Sequence, residues 1–567
     1  MIDLRGKPFY LSDDDIAWVE KTRDGMSLNE KIGQLFCLNL KDGKSEFLDE
    51  VYEVMQPGGC MFRAMPLAAA VHLTNELNRR SKLPLLISAN LEKGGAGIVT
   101  EGTVYGSEME VAATDDVEFA RRLGEVCGAE GAAVGANWTF SPVIDIDANF
   151  RNPITNTRTF GSDPERVKKM SVAYVEEIQK HGVAATIKHF PGDGRDERDQ
   201  HLLTSVNDCT CEEWDATYGA VYQACIDAGA KAVMAAQIML PAYSKKLRPE
   251  LRDEEILPGS LSEELLNDLL RKKLGFNGLI VTDDSVMVGF MAPMPRSTAV
   301  PLSIANGVDM FLFVKNLKED YQYMLDGVKN GILCVERLDE AVTRILALKA
   351  SQGLHRRPPE HRVSLEEAEK TVGCERFVSW ARECADRSVT LVKEEPGVLP
   401  ISPEKYKRVL FCSLEETGGS GLYTVKSVCG DVIARLEHEG FLVTPFTEKI
   451  GEGDHAPTCA SITENFDLII YCANIATKSN QTTVRIEWAQ PRGANCPRFI
   501  SSVPTIFISL ENPYHLIDVP RVRTFINTYS SNPYAVDALM EKLLGRSPFR
   551  GISPVDPFCG KWDTRLS

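Results

Sequence analysis

The 567-residue chain lacks the marks of several large protein classes. It has no CxxC pair, no CxxC…CxxC ribbon and no HExxH helix. Its 15 cysteines, scattered singly from Cys37 and Cys60 onward, therefore indicate neither a zinc site nor a disulfide framework and read as free cytosolic thiols. No uncharged run approaches the roughly 20 residues that span a bilayer. The N-terminal stretch MIDLRGKPFYLSDDD has no apolar segment behind a basic start, so export by the usual signal is not expected and a cytoplasmic location is. Positive charge is in deficit: 63 Lys+Arg against 80 Asp+Glu leave a formal charge of −17. Such a field repels phosphate backbones and anionic lipid, which argues against nucleic acid and membranes as partners. There is no tandem repeat and no low-complexity tract. What remains is a chain 43% hydrophobic and 25% charged, the balance of a globular protein with a proper core. At this length two domains are expected rather than one.

Short apolar runs suited to buried parallel strands recur at Gln34–Leu38, Gly59–Phe62, Leu83–Ala89, Trp138–Ile146, Val183–Phe190, Lys231–Ala236, Leu279–Thr282 and Asp309–Phe313. Helix-length segments separate most of them. In one, Asp163 caps, Pro164 opens the first turn, Val167, Met170, Tyr174 and Ile178 form a stripe, and Gly182 follows the end. Another runs from caps at Ser260 and Ser262 through Leu265, Leu269 and Leu270 to Gly275. Eight strand–helix repeats predict a (β/α)₈ barrel over residues 1–355. Around Gln352–Val363 the apolar periodicity fails, a Pro pair enters and charge clusters, so residues 356–384 read as a linker and connecting helix. Residues 385–567 carry five further runs, Val409–Leu414, Phe441–Thr444, Leu468–Cys472, Thr505–Leu510 and Thr524–Ile526, and predict a smaller, five-stranded, doubly wound α/β sandwich domain.

In such a barrel the active site lies at the C-terminal ends of the strands. The polar residues that follow the runs are Asn90 and Glu92, Asp145 and Asp147, Lys188 and His189, Gln237, and Asp283 with Asp284. Jointly they describe a mouth that holds a polar small molecule, with Asn90, Asp147 and Gln237 as candidate contacts to it. The densest window is Lys188–His201, KHFPGDGRDERDQH. Asp199 and His201 are two apart, so an extended loop points both the same way, and the carboxylate can bind one imidazole nitrogen while the other transfers protons. A salt-bridged surface loop is the alternative reading. The run GLIVTDD delivers Asp283 from a hydrophobic strand, where a carboxylate can attack an anomeric carbon or stabilise developing positive charge. Asp284 has a supporting place or caps the next helix. In the second domain Gly418, Gly419 and Gly421 follow the first run, but GGSGLY lacks the full GxGxxG spacing and reads as a structural turn.

The segments SLNEKIGQLF, SPVIDID, NPITNTRTFGSDPERV, the KHFPG…DQH loop and GFNGLIVTDDSVM, with ADRSVTLVKEE, LPI and GISPV later, resemble glycoside hydrolase family 3. The resemblance covers most of the chain and is to the family's bacterial β-N-acetylglucosaminidases. It implies that Asp283 is the nucleophile and that His201, oriented by Asp199, is the acid/base. It further implies that Lys188, His189 and Arg158 hold sugar hydroxyls and that no metal or cofactor is needed. Three positions depart from the family pattern: PGHG reads PGDG, with Asp193 in the His position; the Asp after the third strand reads Asn90; and the His after the sixth strand reads Gln237. The implied activity is a retaining, exo-acting β-N-acetylhexosaminidase that releases terminal N-acetylglucosamine from oligosaccharides or cell-wall fragments. Three alternatives stand beside it: a phosphorylase using inorganic phosphate as acceptor, an exo-β-glucosidase or xylosidase, and an inactive sugar-binding protein.

Overall fold

The computed structural model describes residues 2–40, 45–358, 362–415, 427–447, 458–477, 479–480, 485–489 and 493–566. Gly418, Gly419 and Gly421 lie outside the described residues. The chain forms two compact units. One comprises Met1–Tyr105, Val117–Thr155 and Pro164–Val378; the other comprises Gly106–Asp116, Asn156–Asp163 and Ser379–Ser567.

The first unit is a closed ring of parallel strands: β1 (Phe36–Leu40), β2 (Gly59–Phe62), β3 (Leu86–Ala89), β4 (Trp138–Thr139), β5 (Thr186–Phe190), β6 (Ala232–Ala235), β7 (Leu279–Thr282) and β8 (Phe311–Leu312). Ladders join β8 to β1 and run through β1, β2, β3 and β4, and a second set joins β5, β6 and β7. The parallel bridges Trp138↔Ala184 and Val281↔Met310 close the two seams. The strands are buried on both faces, as a barrel filled inside and covered outside by helices requires. Inside, Trp138 packs edge-on against Phe140, with ring centroids 4.7 Å apart.

The fourth strand is shorter than the expected Trp138–Ile146. Pro142 has no N–H to give the ladder, so regular pairing stops at Thr139 and resumes as the single bridge Val143↔Lys188. The helices form where their periodicity places them. Pro164–Lys180 buries Val167, Met170, Tyr174 and Ile178, and the chain turns at Gly182 with φ of 74°. Glu264–Lys273, a wide-turned π-type helix, has the Ser262 hydroxyl accepting from the Leu265 N–H at 3.3 Å and ends before Gly275 at φ 68°. Beyond β5 and β6 the chain makes one more, two-residue parallel pairing, Ser205–Val206 with Ile238–Met239, too short to be legible from composition.

Among the described residues the second unit has one mixed sheet with six strands rather than five: β9 (Thr390–Lys393), β10 (Arg408–Glu415), β11 (Leu442–Pro445), β12 (Leu468–Asn474), β13 (Thr505–Ser509) and β14 (Thr524–Asn527). Their order is β9-β14-β13-β12-β10-β11. The strand not expected, β9, is a four-residue antiparallel edge with only Thr390 fully buried, so its apolar run is too brief to stand out. Separate apolar clusters cover the two faces, one around Phe411, Ile470 and Leu539, the other around Tyr471, Phe507 and Phe525.

Candidate active site

The mouth of the barrel is built from the ends of β3, β5, β6 and β7. Lys188 and His189 close β5. Lys188 is 3% exposed, and its ammonium meets Glu92, two residues past Asn90, at 2.7 Å. A buried charge needs a partner, and Glu92 supplies it while fixing the lysine's direction. Asn90 itself is exposed at the end of β3. His189 is held by Asp145: Nδ1 lies 2.6 Å from one carboxylate oxygen, and the His189 N–H donates to the other at 3.0 Å. Burial alone would raise the Asp145 pKa, but the His189 charge and the hydrogen bonds from His189 and Asp193 outweigh it, and the net shift is downward. Asp147, also buried, accepts from the Thr155 hydroxyl at 2.5 Å.

The loop after β5 carries the second Asp–His pair. His201 Nδ1 lies 2.7 Å from Asp199 Oδ1, which also accepts the His201 N–H at 2.8 Å. The Asp199 side chain is wholly buried while the His201 side chain is 23% exposed. A carboxylate on Nδ1 leaves Nε2 as the nitrogen available to a ligand.

Asp283 leaves β7 with its backbone N–H donating to the Ala235 carbonyl of β6 at 2.8 Å. Asp284 turns locally: its Oδ1 accepts from the Val286 N–H at 3.0 Å, and its own N–H donates to Asp283 Oδ1 at 2.7 Å. Its pKa is raised by burial and by the Asp283 charge, with His201 acting in the opposite sense, so Asp283 and His201 each lie within electrostatic reach of Asp284. The backbone closes the same gap. The Val288 N–H donates to the His201 carbonyl at 3.0 Å, and the Thr204 hydroxyl donates to the Gly289 carbonyl at 3.2 Å. Asp283 and the Asp199–His201 pair thus sit on two loops that are bonded to each other.

Gln237, past β6, is wholly buried. Its Oε1 accepts from Ser260 at 2.5 Å and its backbone joins the short pairing with Ser205. Arg158 ends the one-turn 3₁₀ helix Asn156–Arg158 and belongs to the second unit, whereas all the other expected site residues lie in the first. Sequence reasoning missed Gln200 and Asn152, uncharged amides that carry no chemical signal of their own, and did not find the partnership of Glu92 with Lys188. Among the described residues no group of three or more His, Cys, Asp or Glu side chains is arranged to hold a metal, and no helix is long and apolar enough to cross a membrane.

The family model for the glycosyl hydrolase family 3 N-terminal domain matches residues 27–348. The chain belongs to glycosyl hydrolase family 3. It is a glycosidase acting on β-linked sugars. A β-N-acetylglucosaminidase/β-glucosidase of Cellulomonas fimi is 53% identical over 568 residues, covering all of both chains. Among solved structures, one titled β-glucoside phosphorylase BglX superimposes with a TM-score of 0.93 at 46% identity, over 99% of each chain. A family 3 β-N-acetylglucosaminidase from Paenibacillus sp. str. FPU-7 gives a TM-score of 0.77 at 25% identity, over 94% of this chain and 99% of that one.

Proposed function

We propose that this family 3 enzyme cleaves terminal β-linked N-acetylglucosaminyl and glucosyl residues with retention of configuration, and that inorganic phosphate is its preferred acceptor. The observation that carries the reading is the acid/base: an imidazole oriented through Nδ1 by a buried carboxylate at 2.7 Å, on a loop bonded to the one that bears Asp283. Asp283 attacks C1 from one face of the sugar, and the bond to the leaving oxygen breaks as protonated His201 gives that oxygen its Nε2 proton. The glycosyl ester on Asp283 then faces a neutral imidazole. A carboxylate base at that place would repel an incoming anion; a neutral ring does not. Dihydrogen phosphate attacks C1, Asp283 departs as carboxylate, and the phosphate proton returns to Nε2. The product is a β-configured sugar 1-phosphate and the enzyme is restored.

Lys188, held by Glu92, and His189, held by Asp145, are the donors assigned to sugar hydroxyls, and pre-set donors of this kind cost little ordering when the sugar arrives. The full-length similarity to a structure titled as a β-glucoside phosphorylase supports phosphate as acceptor. The name of the Cellulomonas fimi relative supports tolerance of both sugars. Hydrolysis is the second reading, since neutral His201 can equally take a proton from water. The test is to incubate 4-nitrophenyl N-acetyl-β-glucosaminide and the matching glucoside with enzyme, with and without phosphate. The reading expects sugar 1-phosphate as the main product and a faster turnover with phosphate. Free sugar alone, at a rate indifferent to phosphate, would reject phosphorolysis and leave the hydrolase.

A further inference from the structure

Between the two members of the acid/base pair stands Gln200, whose side chain is wholly buried. Its Nε2 donates to Asp193 Oδ2 at 3.0 Å, and its Oε1 accepts the backbone N–H of Gln237 at 3.0 Å. Asp193 is the residue that departs from the family's PGHG pattern, and the catalytic assignment gives it no task. It is itself fixed on every side. Its other oxygen accepts from Asn152 Nδ2 at 2.8 Å and from the Gly194 N–H at 2.7 Å, its own N–H donates to Asp145 Oδ1 at 2.8 Å, and its carbonyl accepts from the Tyr218 hydroxyl at 2.9 Å. One continuous set of bonds therefore runs from His189 through Asp145 and Asp193 to Gln200, flanked by Asp199 and His201. The approach is tight on the far side as well: a Cβ on Gly289 would lie 2.6 Å from the Gln237 Cβ and 2.8 Å from the Gln200 carbonyl oxygen.

We infer that Gln200 and Asp193 are positioning residues, a donor–acceptor latch that holds the loop of Asp199 and His201 in its working place over Asp283. The inference rests on the reading of His201 as acid/base. A loop of this composition, with Gly192 and Gly194 at φ of 121° and 106°, has no intrinsic reason to keep one conformation, so the ordering has to come from bonds such as these. The acceptor at 193 and the donor at 200 are matched. A histidine at 193 would offer a different geometry to an amide, so the departure at 193 and the glutamine at 200 make one device. Burial and the neighbouring Asp145 charge push the Asp193 carboxyl up to about 6, the strain of keeping an acceptor where the latch needs one. Neither residue touches the reacting atoms, and their effect passes through His201.

The experiment is a reversal of polarity. Asp193→Asn places an amide donor against the Gln200 donor, and Gln200→Glu places a second carboxylate against Asp193. The double variant D193N/Q200E restores one donor and one acceptor with the same total charge, and the carboxylate at 200 still accepts from the Gln237 N–H. The readout is kcat/KM over a series of β-glycosides with leaving groups of graded acidity. Loss of proton donation steepens that dependence, because poor leaving groups need the acid and 2,4-dinitrophenolate does not. Each single variant is expected to lose about tenfold or more on the poorest leaving group with little loss on the dinitrophenyl glycoside, and the double variant is expected to recover most of the loss. Equal losses across the series, or a double variant no better than the singles, would overturn the latch. His201→Gln measured alongside separates the two claims: if it leaves the dependence unchanged, the acid/base assignment falls; if it steepens the dependence while the latch variants do not, only the latch falls.

Discussion

Two Asp–His pairs meet in one barrel mouth, and their surroundings divide the work. His189 and its partner Asp145 are 5% and 0% exposed, so that pair holds one shape; the His201 side chain keeps 23% of its surface open to a ligand. Asp199→Asn keeps the volume but weakens the acceptor that fixes the His201 tautomer. Its kcat/KM on unactivated β-glycosides is expected to fall about 10- to 100-fold, with 2,4-dinitrophenyl substrates nearly unaffected, as steady-state kinetics on both substrate classes would show. Far from this chemistry, Lys349 is wholly buried with Gln34 Oε1 2.7 Å from its ammonium. Burial pulls its pKa from 10.5 down to about 7. In that window the unfolded chain binds a proton that the folded chain releases, so this group makes folding more favourable as pH rises from about 7 towards 10.5. Urea midpoints at about pH 7 and pH 9.5 are expected to show that rise reduced in Lys349→Met; an unaltered rise would show that Lys349 keeps its proton in the fold.

The strands were legible wherever an apolar run of four residues was bounded by Gly, as at Gly59–Phe62 and Leu279–Thr282. They were not legible where a local rule cut across the pattern: Pro142 ends β4 early, and β9 is an edge with one fully buried residue. The site followed the same division. Lys188, His189 and Asp283 announce themselves by charge at strand ends, and Asp199 and His201 by the density of charge in the loop after β5, whereas Gln200 gains its place only from the fold that buries it, and Gln237 is tied to Ser260 and Ser205. The loop that links these residues depends on backbone shapes that side chains resist. Gly194 has φ of 106°, and a Cβ there would lie 1.9 Å from the Ile146 carbonyl oxygen. Gly194→Ala is expected to cost about 1–3 kcal/mol, read as a lower urea midpoint, and to lower activity on unactivated substrates because Asp193 moves with it. Ser262→Ala, which removes the cap on Glu264–Lys273, is expected to cost about 1 kcal/mol without changing the leaving-group dependence.

Taken whole, the barrel unit contains the residues proposed as nucleophile and acid/base, Asp283 and His201, with the fixed side chains Lys188 and His189, and the family assignment rests on a match to residues 27–348, most of which lie in that unit. The charge of −17 makes a phosphate acceptor depend on local arrangement rather than long-range attraction, so the advantage of phosphate over water is expected to change little between low and moderate salt. Everything turns on Asp283 and His201 working on the same bond. A 2-deoxy-2-fluoro-β-glucosyl substrate with an activated leaving group would trap the first half-reaction, and peptide mass spectrometry would locate the adduct. The sugar is predicted on Asp283, formed as fast in His201→Gln as in the unaltered enzyme, and released by phosphate more rapidly than by water. An adduct on Asp284, on Asp147 or on any other side chain would contradict the account.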